Sequence, residues 1–402
     1  MNPIIIYRKS YCNGAFYIMK KRLTSIFTLL LYSLLLLSAC SRESAGPTDT
    51  SGNNTSTAES GYVLKVGYGG ILCEAPLHIA VEQGFFEEEG LEVDLVLLAP
   101  GTANEAVAAG TIEAGFSLLA AQIAPLANGL PIKITTGLHT GCDKILVPAD
   151  SGINSIEDLR GKRIGVSSLT ASPAIITMRA LAAAGVGVTT ANMEVEFVVY
   201  TNSELPLALQ NGAVDVIAMN DPTAYIAAQE YGLSILLDSA TDEPWCDQYC
   251  CVAYVRENIA EEYPEIAAKY TRAMQKAAAW VSENSDETAR IQVENNWVQG
   301  NAEGNAEILK TYNYIPAVSK VYEAFGPTAL KLQEIGLLDA SVDINELWEN
   351  SFAFFDDVPD TVTASDLIGV SAAASVTELE VKSLTVQSVA DLKTDESGDC
   401  CK

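Results

Sequence analysis

From Tyr62 onward, apolar residues recur first at every second position and then at every third or fourth, the pattern of strands followed by helices. The run YVLKVGYGGILCEAPLHIAVEQGFFEEEGLEVDLVL (Tyr62–Leu97) holds both periods. Val63, Lys65 and Gly67 alternate with Leu64, Val66 and Tyr68, which predicts a strand; Gly69 and Gly70 break it. Pro76 suits the first turn of a helix, Leu77, Ala80 and Val81 share one face of it, and Gly84 closes it. Leu91, Val93, Leu95 and Leu97 alternate as the next strand. The loop from Gly69 to Ala75 therefore joins a strand's C-terminal end to a helix start, where backbone amides face a ligand.

The alternation continues. Helices are predicted over Thr102–Ala109 and Leu119–Ala124, the second stopped by Pro125, with strands over Ile112–Ser117 and Ile132–Leu138 and an extended Lys144–Val147. Ser155–Arg160 reads as a short helix, Lys162–Val166 as a strand and Ser168–Ala184 as a helix with Pro173 near its start. Val195–Tyr200, Val214–Met219 and Ile235–Leu237 follow as strands, with helices near Ser203–Gln210 and Thr223–Tyr231. The stretches Glu105–Ser117 and Leu207–Met219 share a helix–Gly–x–aliphatic–acid–strand plan, which suggests two lobes of similar construction. Beyond Val255 the pattern is helical: Ile259–Lys269, Tyr270–Glu283, Asp286–Asn295, Ala302–Thr311, Val318–Glu323, Thr328–Ile335 and Ile344–Phe355. Tyr270, Met274, Ala277 and Val281 fall on one face.

Composition adds compartment. The net charge of −28 over 402 residues argues against a nucleic-acid partner, whose phosphates would repel this surface. Lys20, Lys21 and Arg22 precede the apolar Leu23–Ala39, the plan of a signal peptide, and Met19 is a candidate start. The leader ends Leu37-Ser38-Ala39-Cys40, which resembles a bacterial lipoprotein box with Cys40 as the lipidated residue. Residues 41–61, rich in Ser, Thr, Gly and Asn, read as a flexible tether. Residues 359–402 read as a tail, disordered or irregular. A lipid, a tether and a folded domain place the protein at the outer face of a membrane.

Five stretches in this order, APLHIAVEQGFFEEEGLEVDLV, AVAAGTIEAGFS, SIEDLRGKRIGV, LQNGAVDVIAMNDP and YPEIAAKYTRAMQKAAAWV, resemble the substrate-binding proteins of ABC importers, in the nitrate/sulfonate/taurine/bicarbonate group. The resemblance implies an α/β, two-lobed periplasmic-binding-protein (type II) fold with a two-strand hinge and a helical C-terminal part. Lobe 1 would be 62–142 with 252–358, and lobe 2 would be 143–251. It also implies a small-molecule ligand of the nitrate, sulfonate or taurine type or a small heterocycle, an ABC permease and ATPase as partners, a monomer, and no cofactor. The residues that fall at the cleft are Gly69, Gly70, Cys73, Ser117, Leu118, His139, Cys142, Ser168, Thr170, Asn220, Asp221 and Cys250, with Ser172 beside them. Their hydroxyls and amides suit an oxyanion, but Lys144 is the nearest cation and Glu74, Asp143 and Asp221 are acidic.

Cysteine is the departure from that family. Cys73, Cys142, Cys246, Cys250 and Cys251 fall near the cleft or hinge, beside the chain's two histidines, His78 and His139. Three readings stay open: buried small apolar residues, a disulfide such as one within 246–251, or a soft-metal site drawing on His139, Cys142, Cys246, Cys250 and Cys251. The fold is also related to the pyrimidine-precursor synthase of thiamine biosynthesis, whose Cys-Cys-Cys-Phe-Cys iron motif is replaced here by Cys246-Asp-Gln-Tyr-Cys250-Cys251. The chain has no GxSxG, HExxH or P-loop, so a binding protein rather than an enzyme is expected.

Overall fold

A computed structural model describes residues 61–368. The leader, Cys40, the tether to residue 60 and the tail beyond 368 lie outside the described residues. Twelve strands run among the described residues: β1 (Val63–Tyr68), β2 (Glu92–Leu97), β3 (Ala114–Ser117), β4 (Ile132–Thr140), β5 (Asp143–Pro148), β6 (Arg163–Val166), β7 (Val188–Thr189), β8 (Asn192–Met193), β9 (Glu196–Val199), β10 (Val216–Asn220), β11 (Leu233–Asp238) and β12 (Tyr249–Arg256). They form two five-stranded mixed sheets, ordered β2-β1-β3-β12-β4 and β11-β5-β10-β6-β9, and a β7–β8 ribbon. The chain passes from the first sheet to the second at Gly141–Cys142 and returns through Ser239–Gln248, so two segments link two lobes.

The helical C-terminal part packs onto the first sheet. Tyr270, Met274, Ala277 and Val281 all lie at zero exposure on the helix Pro264–Glu283. That helix starts at Pro264, not at Tyr270, because a proline disfavours helical angles in the residue before it and suits the first turn itself. Two prolines are carried inside helices rather than ending them: Pro125 in Leu119–Ala127 and Pro327 in Val318–Glu334. The second merges the two helices expected over 318–335 into one. The helix expected from Ser168 starts at Ser172, so Pro173 lies in its first turn. Among the described residues, no helix is long and apolar enough to cross a membrane.

Candidate functional site

A cavity of about 600 Å³ lies between the two sheets, a size that suits a small organic ligand. Its first-lobe wall is the loop Tyr68–Ile71 after β1, Phe116 to Leu118 at the end of β3, and Gln122. The facing wall is Ser167 and Thr170–Ser172 after β6, Thr201–Ser203 after β9, and Met219 with Asn220 at the end of β10. Both walls are thus built at the carboxyl ends of parallel strands. Of the residues expected here, Gly69, Gly70, Cys73, Ser117, Leu118, Cys142, Thr170, Asn220 and Cys250 line the cavity.

His139, Ser168 and Asp221 are not among the residues that line it. His139 is fully buried, and the Ser168 hydroxyl is 2.9 Å from that of Thr170. Asp221 turns its carboxylate to Lys144 Nζ at 2.9 Å and Tyr312 Oη at 3.3 Å. Lys144 also meets Asp238 at 2.7 Å, so the cation nearest in sequence to the cleft is engaged by two carboxylates at the ends of β10 and β11. Burial works against the charge on Lys144, but Asp221 and Asp238 raise its pKa.

Glu74 was missed by the sequence reading except as an unwelcome charge. It is buried, and its carboxylate closes the loop after β1: Oε1 accepts from Gly69 N at 2.6 Å, and Oε2 accepts from Gly70 N at 2.7 Å and Ile71 N at 3.1 Å. Gly70 takes φ +76°, which turns its amide into this cradle. Burial pushes the Glu74 carboxyl up to about 7, and the three amides pull the other way. His78, 3.7 Å away, is no counter-charge: burial drives it down to about 3, and it stacks on Trp297 as a neutral ring. The signal that could have found this arrangement is an acidic residue three positions after a helix-entry residue, Ile71-x-x-Glu74.

Asn220 does not cap the helix that follows it. Its Nδ2 donates to Asp143 Oδ1 at 2.7 Å and to Ser172 Oγ at 2.8 Å, and Ser172 donates to the same Asp143 oxygen at 3.0 Å. Burial pushes Asp143 up to about 8, although the Ser172 hydrogen bond opposes it.

Sulfur gathers in the cavity wall. Cys142 and Cys250 are joined in a disulfide, not one within 246–251, and it ties the first crossing segment to the start of β12. That bond removes both sulfurs from the metal-ligand set. Cys246, buried ahead of β12, is disulfide-bonded too, which takes it out of the metal-ligand set as well. Cys73 and Cys251 are thiols, and with His139 they place one donor atom each within 4.8 Å of one another. The ring does not fit a metal ligand, because Nδ1 is 2.9 Å from Thr140 O and Nε2 is 2.8 Å from Cys73 O. A neutral imidazole has one N–H, so two carbonyl partners require the imidazolium. Its counter-charge is at hand: the hydrogen bond from Cys73 holds the Cys251 thiol down to about 5, with His139 adding to the effect and burial opposing it. Burial opposes the imidazolium too, but Cys251 and the two carbonyls raise the His139 pKa.

The comparisons with known proteins can now be set beside this geometry. A family described as NMT1/THI5 like matches residues 74–288, more than half of the chain. The chain belongs to the NMT1/THI5-like family. Among its curated relatives is a Bacillus subtilis (strain 168) protein named for binding aliphatic sulfonates, 26% identical over 224 residues, 54% of this chain. The match spans 65% of that relative, under two thirds of its length. A second is the 4-amino-5-hydroxymethyl-2-methylpyrimidine phosphate synthase of Legionella pneumophila, 24% identical over 54% of this chain and 67% of its own. Among solved structures, the alkanesulfonate-binding protein SsuA from Xanthomonas axonopodis pv. citri bound to MOPS superposes with a TM-score of 0.61. It shares 17% identity, with 73% of this chain and 98% of that one covered. This NMT1/THI5-like chain therefore has the two-lobed periplasmic-binding-protein fold that its motifs implied.

Proposed function

We propose that this protein captures a small solute between its two lobes and hands it to an ABC permease and its ATPase, as the binding component of an importer. The observation that carries the reading is the cavity, whose walls come from strand-end loops of both lobes. A solute touching one wall gains the other wall's contacts only when the lobes close on it, so binding selects the closed form. A lipid on Cys40 and the tether after it would keep a monomeric receptor at the extracytoplasmic face. The relatives' names bring two ligand classes, sulfonates and a pyrimidine, and the nine expected residues around the cavity are its proposed contacts.

The test is titration of the full-length chain in detergent with candidate solutes, followed by thermal unfolding and small-angle scattering. Capture predicts an unfolding temperature that climbs with ligand concentration, a smaller radius of gyration, and ligand recovered unchanged. A second reading is a pyrimidine-forming enzyme, favoured by the Legionella relative's name. Product formed from the bound solute would replace the first reading with the second.

A further inference from the structure

If the capture reading holds, the cleft's own chemistry narrows the ligand class. We propose that it takes a neutral or cationic solute that donates hydrogen bonds, and that Glu74 excludes sulfonate- and nitrate-type oxyanions by filling the amide cradle such a ligand needs. Three successive amides, those of Gly69, Gly70 and Ile71, converge on the two oxygens of this carboxylate at 2.6–3.1 Å. Convergent backbone N–H groups are an anion site, and here the anion belongs to the chain. None of the described residues that line the cavity is Arg, Lys or His, while Glu74 and Glu230 do line it. An incoming oxyanion would find these amides already taken and no cation to receive it, and it would meet a like charge wherever Glu74 is ionised.

An independent observation asks for donors. Gln122 is 3% exposed, and its Nε2 donates to Ser117 Oγ at 2.7 Å. Its Oε1 is buried without a hydrogen-bond partner. Gln122 lines the cavity. A buried acceptor left unpaired is costly, and a ligand N–H that reaches it pairs it whereas an oxyanion cannot. Tyr68, in the same wall, brings an aromatic side chain to the cavity.

The experiment titrates the full-length chain with methanesulfonate, nitrate, benzamidinium and 4-aminopyrimidine, read by calorimetry and thermal shift. Wild type should respond to benzamidinium or 4-aminopyrimidine and not to the two anions. Glu74→Ala, which empties the cradle, should strengthen methanesulfonate binding about tenfold or more, the equivalent of one charge-assisted hydrogen bond. Methanesulfonate bound equally well by wild type and Glu74→Ala would overturn the exclusion while leaving capture intact. Should Glu74→Ala fail to fold, Gln122→Leu serves: it should weaken 4-aminopyrimidine or benzamidinium binding about tenfold, and unchanged binding would overturn the demand for donors. No response to any probe, together with no co-purifying solute in native mass spectrometry, would sink the capture reading itself and this inference with it.

Discussion

A thiol that accepts a hydrogen bond from a second thiol and faces an imidazolium ionises well below the usual range, and Cys251 has both neighbours. The other ionisable groups around it, Glu74, Asp143 and Tyr314, are pushed up by burial first and by the Cys251 thiolate as well. Cys251 is buried in the cavity wall, so a small alkylating agent has to enter through the cleft to meet it. Iodoacetamide at pH 7 should therefore modify Cys251 ahead of Cys73, whose thiol is pushed well up, by its bond to Cys251 first and then by burial. The rate should fall as pH drops through about 5, because protonation removes the thiolate. His139→Gln, which cannot carry the charge, should slow the reaction at pH 6 about twofold for a rise of one pKa unit and about tenfold for a rise of two. Peptide mass spectrometry after timed quenching reads both, and equal labelling of the two cysteines would refute the ion pair. The residue types were legible in the sequence, since Cys and His were singled out. The pairing was not, because it needs the carbonyls of Cys73 and Thr140 to converge on one ring from separate segments.

At the scale of elements, strand and helix periods carried well. The face of Tyr270, Met274, Ala277 and Val281 was visible as a stripe and is buried as one. Boundaries were lost where a proline's effect depends on its neighbours, as at Pro125 and Pro327, which packed helices tolerate. The junction of β5, β10 and β11 was also hidden. There Lys144, at 3% exposure, stands between Asp221 and Asp238. Removing the cation leaves Asp221 as a fully buried carboxylate with only the Tyr312 hydroxyl as side-chain partner. Lys144→Met should accordingly destabilise the fold by about 3–5 kcal/mol, the usual cost of breaking a buried pair from one side. Urea unfolding monitored by circular dichroism measures it; a midpoint within error of wild type would show that the triad contributes nothing.

Across the whole molecule, the Cys142–Cys250 disulfide links the two places where the chain changes sheet, 108 residues apart in sequence. A cross-link closing a loop of that length restricts the unfolded chain, and its loss typically costs about 2–5 kcal/mol. Reduction should lower the unfolding midpoint and, since it releases the first crossing segment from the start of β12, enlarge the ligand-free radius of gyration measured by small-angle scattering. Unchanged dimensions with a lowered midpoint would confine the bond's role to stability. By itself the sequence determined the order of strands and helices, the two-lobed family fold and the placing of strand-end loops at a cleft, because periodicity, glycines and prolines act over a few residues. Only the tertiary structure decided which sulfurs bond, which carboxylates meet Lys144, and that Glu74 sits in the amide cradle after β1. Those outcomes depend on burial and on contacts between segments far apart in the chain, which local patterns do not encode.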